Sequence, residues 1–296
     1  MNKLSYELTI QRVRVVNIMK RYFKAMSYMG LGTAFIANMA FANVEEDAVD
    51  LSELLLGQQV KITGNLETNH KKHPQIPILK VDECSKHNLA LKTNYYGDSV
   101  ELMLPYAESG YQKKRCEIVV HGALRRNKEF KLSYHFKVND NRYSELVDPK
   151  WFALMQFHNK PNKNEAWRCP ILALESYNGT LRMFNRWDSQ QISTTVNGTC
   201  ANAGNSIQSR VMFRDIPYEA NRWYKFEIEG ELAWEDDSDV CLTVRLDDAE
   251  IAYECGPNTF NDWYQPYLKF GIYKPTTWRL YNEVRVEYKD IEYVQY

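Results

Sequence analysis

The stretch YLKFGIYKP, residues 267–275, reads as a β-strand with two unlike faces. With side chains alternating, Leu268, Phe270 and Ile272 point one way and Lys269, Gly271 and Tyr273 the other. The first face suits a core. The second carries a cation, a gap and a phenol. The same two-residue period recurs in VELML (100–104), CEIVV (116–120), KLSYHFKV (131–138), FALMQFH (152–158), ILALES (171–176) and LRMFNRW (181–187). It continues through WYKFEIEG (223–230), CLTVRL (241–246), IAYEC (251–255) and EVRVEYKDIEYV (283–294). Turn signals separate these runs: Asn178-Gly179, Asn197-Gly198, Asp247-Asp248 and Gly256-Pro257. A helical period shows only in LSELLLG (51–57). Many short strands without interleaved helices predict an all-β sandwich or jelly roll. The 20 Tyr, 12 Phe and 7 Trp fit pleated, half-buried surfaces first, and a groove for a flat ligand second.

The N-terminus has a different character. From Met19 the chain shows a basic start (Lys20, Arg21, Lys24), an apolar run to about Phe41 and the small-x-small sequence Ala40-Phe41-Ala42. This is the layout of a secretory signal peptide cut after Ala42, with residues 1–18 as an upstream extension. Ser27, Gly30, Gly32 and Asn38 interrupt the apolar run, which argues against a retained membrane span. The expected organisation is a leader over 1–42 and one domain over 43–296, periplasmic or secreted, with no stable membrane insertion. Removal of 1–42 takes away six basic residues and Glu7, leaving 31 basic against 37 acidic side chains, a net of −6. Such a body does not suit nucleic acid, and a polyanion would need cations gathered locally. All six cysteines follow the leader, so disulfides are expected. The hairpin CLTVRLDDAEIAYEC sets Cys241 across from Cys255.

Polar residues stand on one face of two further strands. Gln156 and His158 share a face of FALMQFH, with Leu154, while Ala153, Met155 and Phe157 take the other. Arg115 and Glu117 share a face in KKRCEI (113–118). Taken singly, the first pair is equally a polar outer face and the second a surface ion pair of little worth. Together with Lys269 and Tyr273 they can line one concave groove. His135, on the polar face of KLSYHFKV with Lys131 and Lys137, is a further candidate for that groove and the second choice for a base, although a lone His on a basic strand more simply reads as solvent-exposed. His70 and His73 in NHKKH read as a basic loop. EDDSD (235–239) has the oxygens calcium favours but lacks EF-hand spacing, so a solvated turn is the simpler reading and no cofactor is expected. Asn178-Gly-Thr and Asn197-Gly-Thr match the glycosylation sequon and also plain turns. No serine elbow, phosphate loop or closely spaced glycosidase carboxylate pair is evident.

The order Arg115-x-Glu117, Gln156-x-His158 and Tyr267-x-Lys269-x-Gly271-x-Tyr273 resembles the jelly-roll polysaccharide lyases, above all the heparin lyase I and glucuronan lyase group. The alginate lyases of the same fold have similar strands, usually with Ala where Phe270 stands. The resemblance spans about residues 95–295, and RYSEL (142–146), which comes near an Arg-x-Glu-Leu pattern, is set aside in favour of Arg115. It implies a concanavalin A-like sandwich with a concave groove, and β-elimination across a uronic acid. On that reading Gln156 and Arg115 bind and neutralise the carboxylate. His158 removes the C5 proton. Tyr273 protonates the leaving oxygen, or serves as both base and acid for some epimers. Lys269 holds a neighbouring carboxylate or sulfate, Glu117 orients Arg115, and Gly271 leaves room for the sugar. Heparin or heparan sulfate, glucuronan and alginate are the candidate substrates, and a monomer is expected. The alternatives are a non-catalytic glycan-binding module and a sandwich-fold glycoside hydrolase. A binding module has no need of a His and Tyr pair, and a hydrolase leaves a saturated product.

Overall fold

The computed structural model describes residues 60–63, 78–82, 84, 88–94, 97–104, 114–122, 124–139, 151–276 and 283–296, all within one unit spanning 45–296. Residues 1–42, expected to be a leader, and LSELLLG, NHKKH and RYSEL lie outside the described residues. In chain order the strands are β1 (Val60–Thr63), β2 (Ile78–Asp82), β3 (Leu89–Asn94), β4 (Gly97–Leu104) and β5 (Lys114–His121). Next come β6 (Glu129–Val138), β7 (Trp151–His158), β8 (Leu172–Tyr177), β9 (Thr180–Trp187) and β10 (Gln208–Pro217). The last five are β11 (Tyr224–Glu231), β12 (Cys241–Leu246), β13 (Ala249–Cys255), β14 (Tyr267–Lys274) and β15 (Val284–Gln295). No helix occurs among the described residues.

They form two sheets, in the orders β13-β12-β11-β6-β15-β4-β3 and β10-β9-β8-β7-β14-β5-β2. Every ladder is antiparallel except that of β1 on β15. This is the expected jelly-roll sandwich. The β8–β9 hairpin turns at Asn178-Gly179 and the β12–β13 hairpin at Asp247-Asp248, all four residues with positive φ, the requirement of a tight primed turn. Cys241 pairs with Cys255 in register and forms the expected disulfide. Cys84–Cys116 and Cys169–Cys200 complete the set. The sequence pattern missed β1, β2, β3 and β10; the β10 ladder on β9 slips twice, between Val211 and Phe213 and between Phe213 and Ile216, so its polar and apolar residues do not alternate.

The core follows from alternation on β6. Phe130, Leu132, Tyr134, Phe136 and Val138 are buried; Lys131, Ser133, His135 and Lys137 face outward. Tyr134 meets Phe270 of the opposite sheet edge-on at 5.1 Å, and Phe130 meets Phe157 at 5.6 Å. Each such ring buried is worth about 1.5–3 kcal/mol. His135 therefore stands on the outer face of the other sheet, 3.2 Å from Asp290, and does not line the groove described below.

The second sheet is bent by paired bulges. β14 pairs with β5 without a slip from Leu268 opposite Val120 to Lys274 opposite Lys114. Against β7, Tyr267 to Phe270 pair with His158 to Met155, and then Tyr273 pairs with Ala153, so Gly271 and Ile272 together face Leu154. On the far side of β7, Met155 pairs with Leu174 and Ala153 with Glu175, leaving Leu154 unopposed. Two successive bulges thus remove one row each, two in all between β14 and β8, increasing twist. They also correct the facing read from sequence. Leu154 is in the core, and Ala153 joins Gln156 and His158 on the groove face. Gly271 has φ of 136°, and a Cβ there would lie 2.2 Å from the Cys116 carbonyl oxygen. The missing side chain serves the close approach of β5, not a berth for sugar. Tyr288 crosses from the opposite sheet to secure the bulge: its hydroxyl donates to Leu154 O at 2.6 Å, with Gly271 O at 3.3 Å.

Candidate active site

The outer face of the bulged sheet forms a groove of about 920 Å³. Strand pairing arranges its side chains in transverse rows. One row reads Arg182, Glu175, Ala153, Tyr273, Arg115 from β9 to β5. The next reads Phe184, Ala173, Gln156, Lys269, Val119. In a third, His158 of β7 stacks on Tyr267 of β14 at 5.6 Å, and Tyr267 lies 5.0 Å from His121 of β5. Arg115, Glu117, Gln156, His158, Lys269 and Tyr273 all line the groove.

Glu117, only 1% exposed, is the centre of the arrangement. Its Oε1 accepts from Gln156 Nε2 at 2.5 Å and its Oε2 from Lys269 Nζ at 3.1 Å. Arg115 Nη1 stands 3.8 Å from the same Oε2, and its guanidinium lies 5.3 Å from the Tyr273 ring centroid. One buried carboxylate thus holds an amide and two cations, more than the orientation of Arg115 foreseen from sequence. Such charge-assisted contacts fix geometry as well as contributing energy.

His158 flanks this centre. A carbonyl can only accept, so the ring's Nδ1, 3.0 Å from Asn159 O, carries the proton and Nε2 keeps its lone pair. Burial pulls the imidazole down to about 4, and the Lys269, Arg115 and Arg168 charges pull the same way, while the Asn159 carbonyl opposes them. The ring is neutral at ordinary pH. The register sets His158 opposite Tyr267, and Tyr273 opposite Ala153, five positions along β7. By strand rise that separates the two backbones by roughly 15 Å. The imidazole and the phenol therefore flank Gln156 from opposite ends instead of meeting.

A family model described as polysaccharide lyase matches residues 61–290. This chain belongs to that family. The lyase shares its fold with the endo-β-1,4-glucuronan lyase from the fungus Trichoderma reesei, at 14% identity over 72% of this chain and 89% of that one, TM-score 0.57. A marine alginate lyase from Zobellia galactanivorans aligns at 10% identity over 77% and 86%, TM-score 0.45. An alginate lyase from Aplysia kurodai aligns at 11% over 70% and 87%, also 0.45. No curated protein sequence matches the chain.

The lyase builds one wall of its groove from loops the sequence pattern did not single out. Arg168 is buried and donates to both oxygens of Asp262, at 2.6 and 2.5 Å, to Glu165 at 3.0 Å and to the Ser193 hydroxyl at 2.7 Å. This network supports Trp167, whose ring meets His158 edge-on at 5.9 Å. Tyr267 and His121 were legible in principle, since each shares the strand parity of its groove-facing neighbours. Trp151 was not, because the bulge at Leu154 reverses the parity between it and Gln156. The cationic lining comprises Arg115, Arg168, Arg182, Arg186 and Lys269 against Glu117 and Glu175. Among the described residues no three His, Cys, Asp or Glu side chains gather as a metal site, and at the turn 235–239 Asp236 instead accepts a hydrogen bond from Ser189 at 2.9 Å.

Proposed function

We propose that this exported lyase cleaves a uronic-acid-containing anionic polysaccharide by β-elimination. The observation that carries the reading is the buried Glu117 holding Gln156 and Lys269 at the floor of a cationic groove, with His158 and Tyr273 on either side. A uronate carboxylate at Gln156, Arg115 and Lys269 loses much of its negative charge, and the C5 hydrogen beside it becomes more acidic. His158, two residues from Gln156 on the same face, takes that proton on Nε2. The electrons form the C4–C5 double bond, the C4–O4 bond breaks, and Tyr273 gives its proton to O4. The fold shared with a glucuronan lyase supports a uronate as the sugar. Three disulfides support export to an oxidising compartment.

The test is incubation of the protein with heparin, heparan sulfate, glucuronan, alginate and hyaluronan, following ultraviolet absorbance of an unsaturated sugar. At least one uronate polymer should yield it, and Tyr273→Phe should reduce the rate by at least about a hundredfold with the melting temperature kept. Full activity in that variant would remove Tyr273 from the chemistry.

A further inference from the structure

Two groove arginines have no part in this elimination. Arg182 and Arg186 stand on β9, on either side of Phe184 and two strands beyond His158. Between Phe184 and Gln156 the row holds only Ala173, so the floor runs open from the Glu117 centre to β9. Arg182 is partnered: its Nε donates to Glu175 at 2.8 Å, and its guanidinium lies 3.9 Å from the Tyr177 ring centroid. Arg186 is not neutralised in the same way. Its Nη1 donates to Pro170 O at 3.1 Å and its guanidinium lies 5.4 Å from the Phe184 ring centroid. Among the described residues no carboxylate stands within ion-pair distance of it. A guanidinium has five N–H donors in a planar fork, and among the described residues one of them is used. Glu175, already bonded to Arg182, acts on Arg186 only beyond ion-pair distance, and a partly buried cation that shares a counter-charge with a neighbour is stabilised when a further anion joins it.

We propose that Arg186 forms a second anion subsite, with the Arg182 charge nearby, which takes a carboxylate or sulfate oxyanion on a sugar further along the chain whose uronate lies at Gln156. The fork matches the two oxygens such a group presents. This rests on the reading of the groove as a polyuronate site. It adds that the polysaccharide crosses the strands from β5 toward β9, and that recognition extends to an anionic group beyond the sugar undergoing elimination.

The experiment is calorimetric binding of saturated oligosaccharides to the wild type, Arg186→Gln, Arg186→Lys and the exposed-site control Arg222→Gln, with steady-state kinetics alongside. The probes are oligouronates of two and six sugars and a sulfated heparin hexasaccharide. Arg186→Gln should weaken a six-sugar ligand about tenfold or more and raise polymer KM by a similar factor, with kcat and two-sugar binding little changed. Arg186→Lys should recover only part of the loss, because an ammonium lacks the fork, and Arg222→Gln should match the wild type. Loss on both hexasaccharides means either oxyanion is taken. Loss on one names carboxylate or sulfate as the group. Unchanged hexasaccharide affinity in Arg186→Gln, or no binding by the wild type, overturns the subsite. Should Arg186→Gln melt early, the Lys variant decides, since full recovery there also overturns it. Binding without an unsaturated product would sink the lyase chemistry and leave the subsite to stand or fall on affinity alone.

Discussion

Glu117 fixes the chemistry of the groove from below. Lys269 is 5% exposed and 3.1 Å from it, so removal of the carboxylate leaves a buried ammonium without that partner. Glu117→Ala should cost roughly 3–5 kcal/mol in denaturant unfolding. Glu117→Gln, which keeps the shape, should retain more of the fold and lose about a hundredfold in kcat/KM, because Gln156 and Lys269 are no longer held by charge. His158 supplies the pH dependence. Its folded value, about 4, lies below the ordinary imidazole value, so the unfolded chain binds more protons between about pH 4 and 6.5. This residue's contribution to stability is therefore present above that window and is lost as pH falls through it. The base stays unprotonated down to about 4, and the acid limb of kcat/KM should lie there. A limb near 6.5 would mean the ring is solvated and not buried against Tyr267 and Trp167. The residue types were legible from sequence because each stands at strand parity with a polar neighbour. The contacts among them were not, since parity does not say which strand lies beside which.

At the scale of elements, the site depends on the bulged ladder of β14, β7 and β8. Gly271→Ala places a Cβ 2.2 Å from the Cys116 carbonyl oxygen at a φ of 136°, and should destabilise the protein by about 3 kcal/mol or more. Tyr288→Phe leaves the Leu154 carbonyl without its donor in the core and should cost about 1–3 kcal/mol. Both are measured by chemical denaturation. A Gly271→Ala variant as stable as the wild type would contradict the close approach of β14 and β5. These strands show where sequence reading stops. The two-residue period located β14, β7 and β5 and placed Lys269, Tyr273, Gln156 and His158 on their polar faces. It could not show the bulges, which come from pairing between strands far apart in the chain. Hence alternation alone puts Ala153 on the wrong face and gives Gly271 the wrong purpose. On β6 the same alternation gave His135 its correct outward direction but not its sheet, and the topology puts it on the other one.

For the molecule as a whole, the groove is cationic although the chain carries a formal net charge of −1. Polyanion binding should weaken with added salt, seen as polymer KM rising steeply between low and physiological ionic strength while kcat changes little. A KM indifferent to salt would argue that the lining cations are spent on internal partners. The sandwich itself was readable from many short alternating runs without helices, and the Cys241–Cys255 pair from its hairpin. The loop network around Arg168 was not, because its partners Glu165, Ser193 and Asp262 come from separate connections with no periodic signal. What decides the whole account is how one sugar meets the three rows. The direct measurement is a crystal structure of the Tyr273→Phe variant with a uronate oligosaccharide bound. The account predicts a carboxylate within hydrogen-bond distance of Gln156, the C5 hydrogen of that same sugar facing His158 Nε2, and its O4 facing the ring at position 273. If His158 and position 273 contact different sugars, with no carboxylate at Gln156, the proposed elimination is wrong.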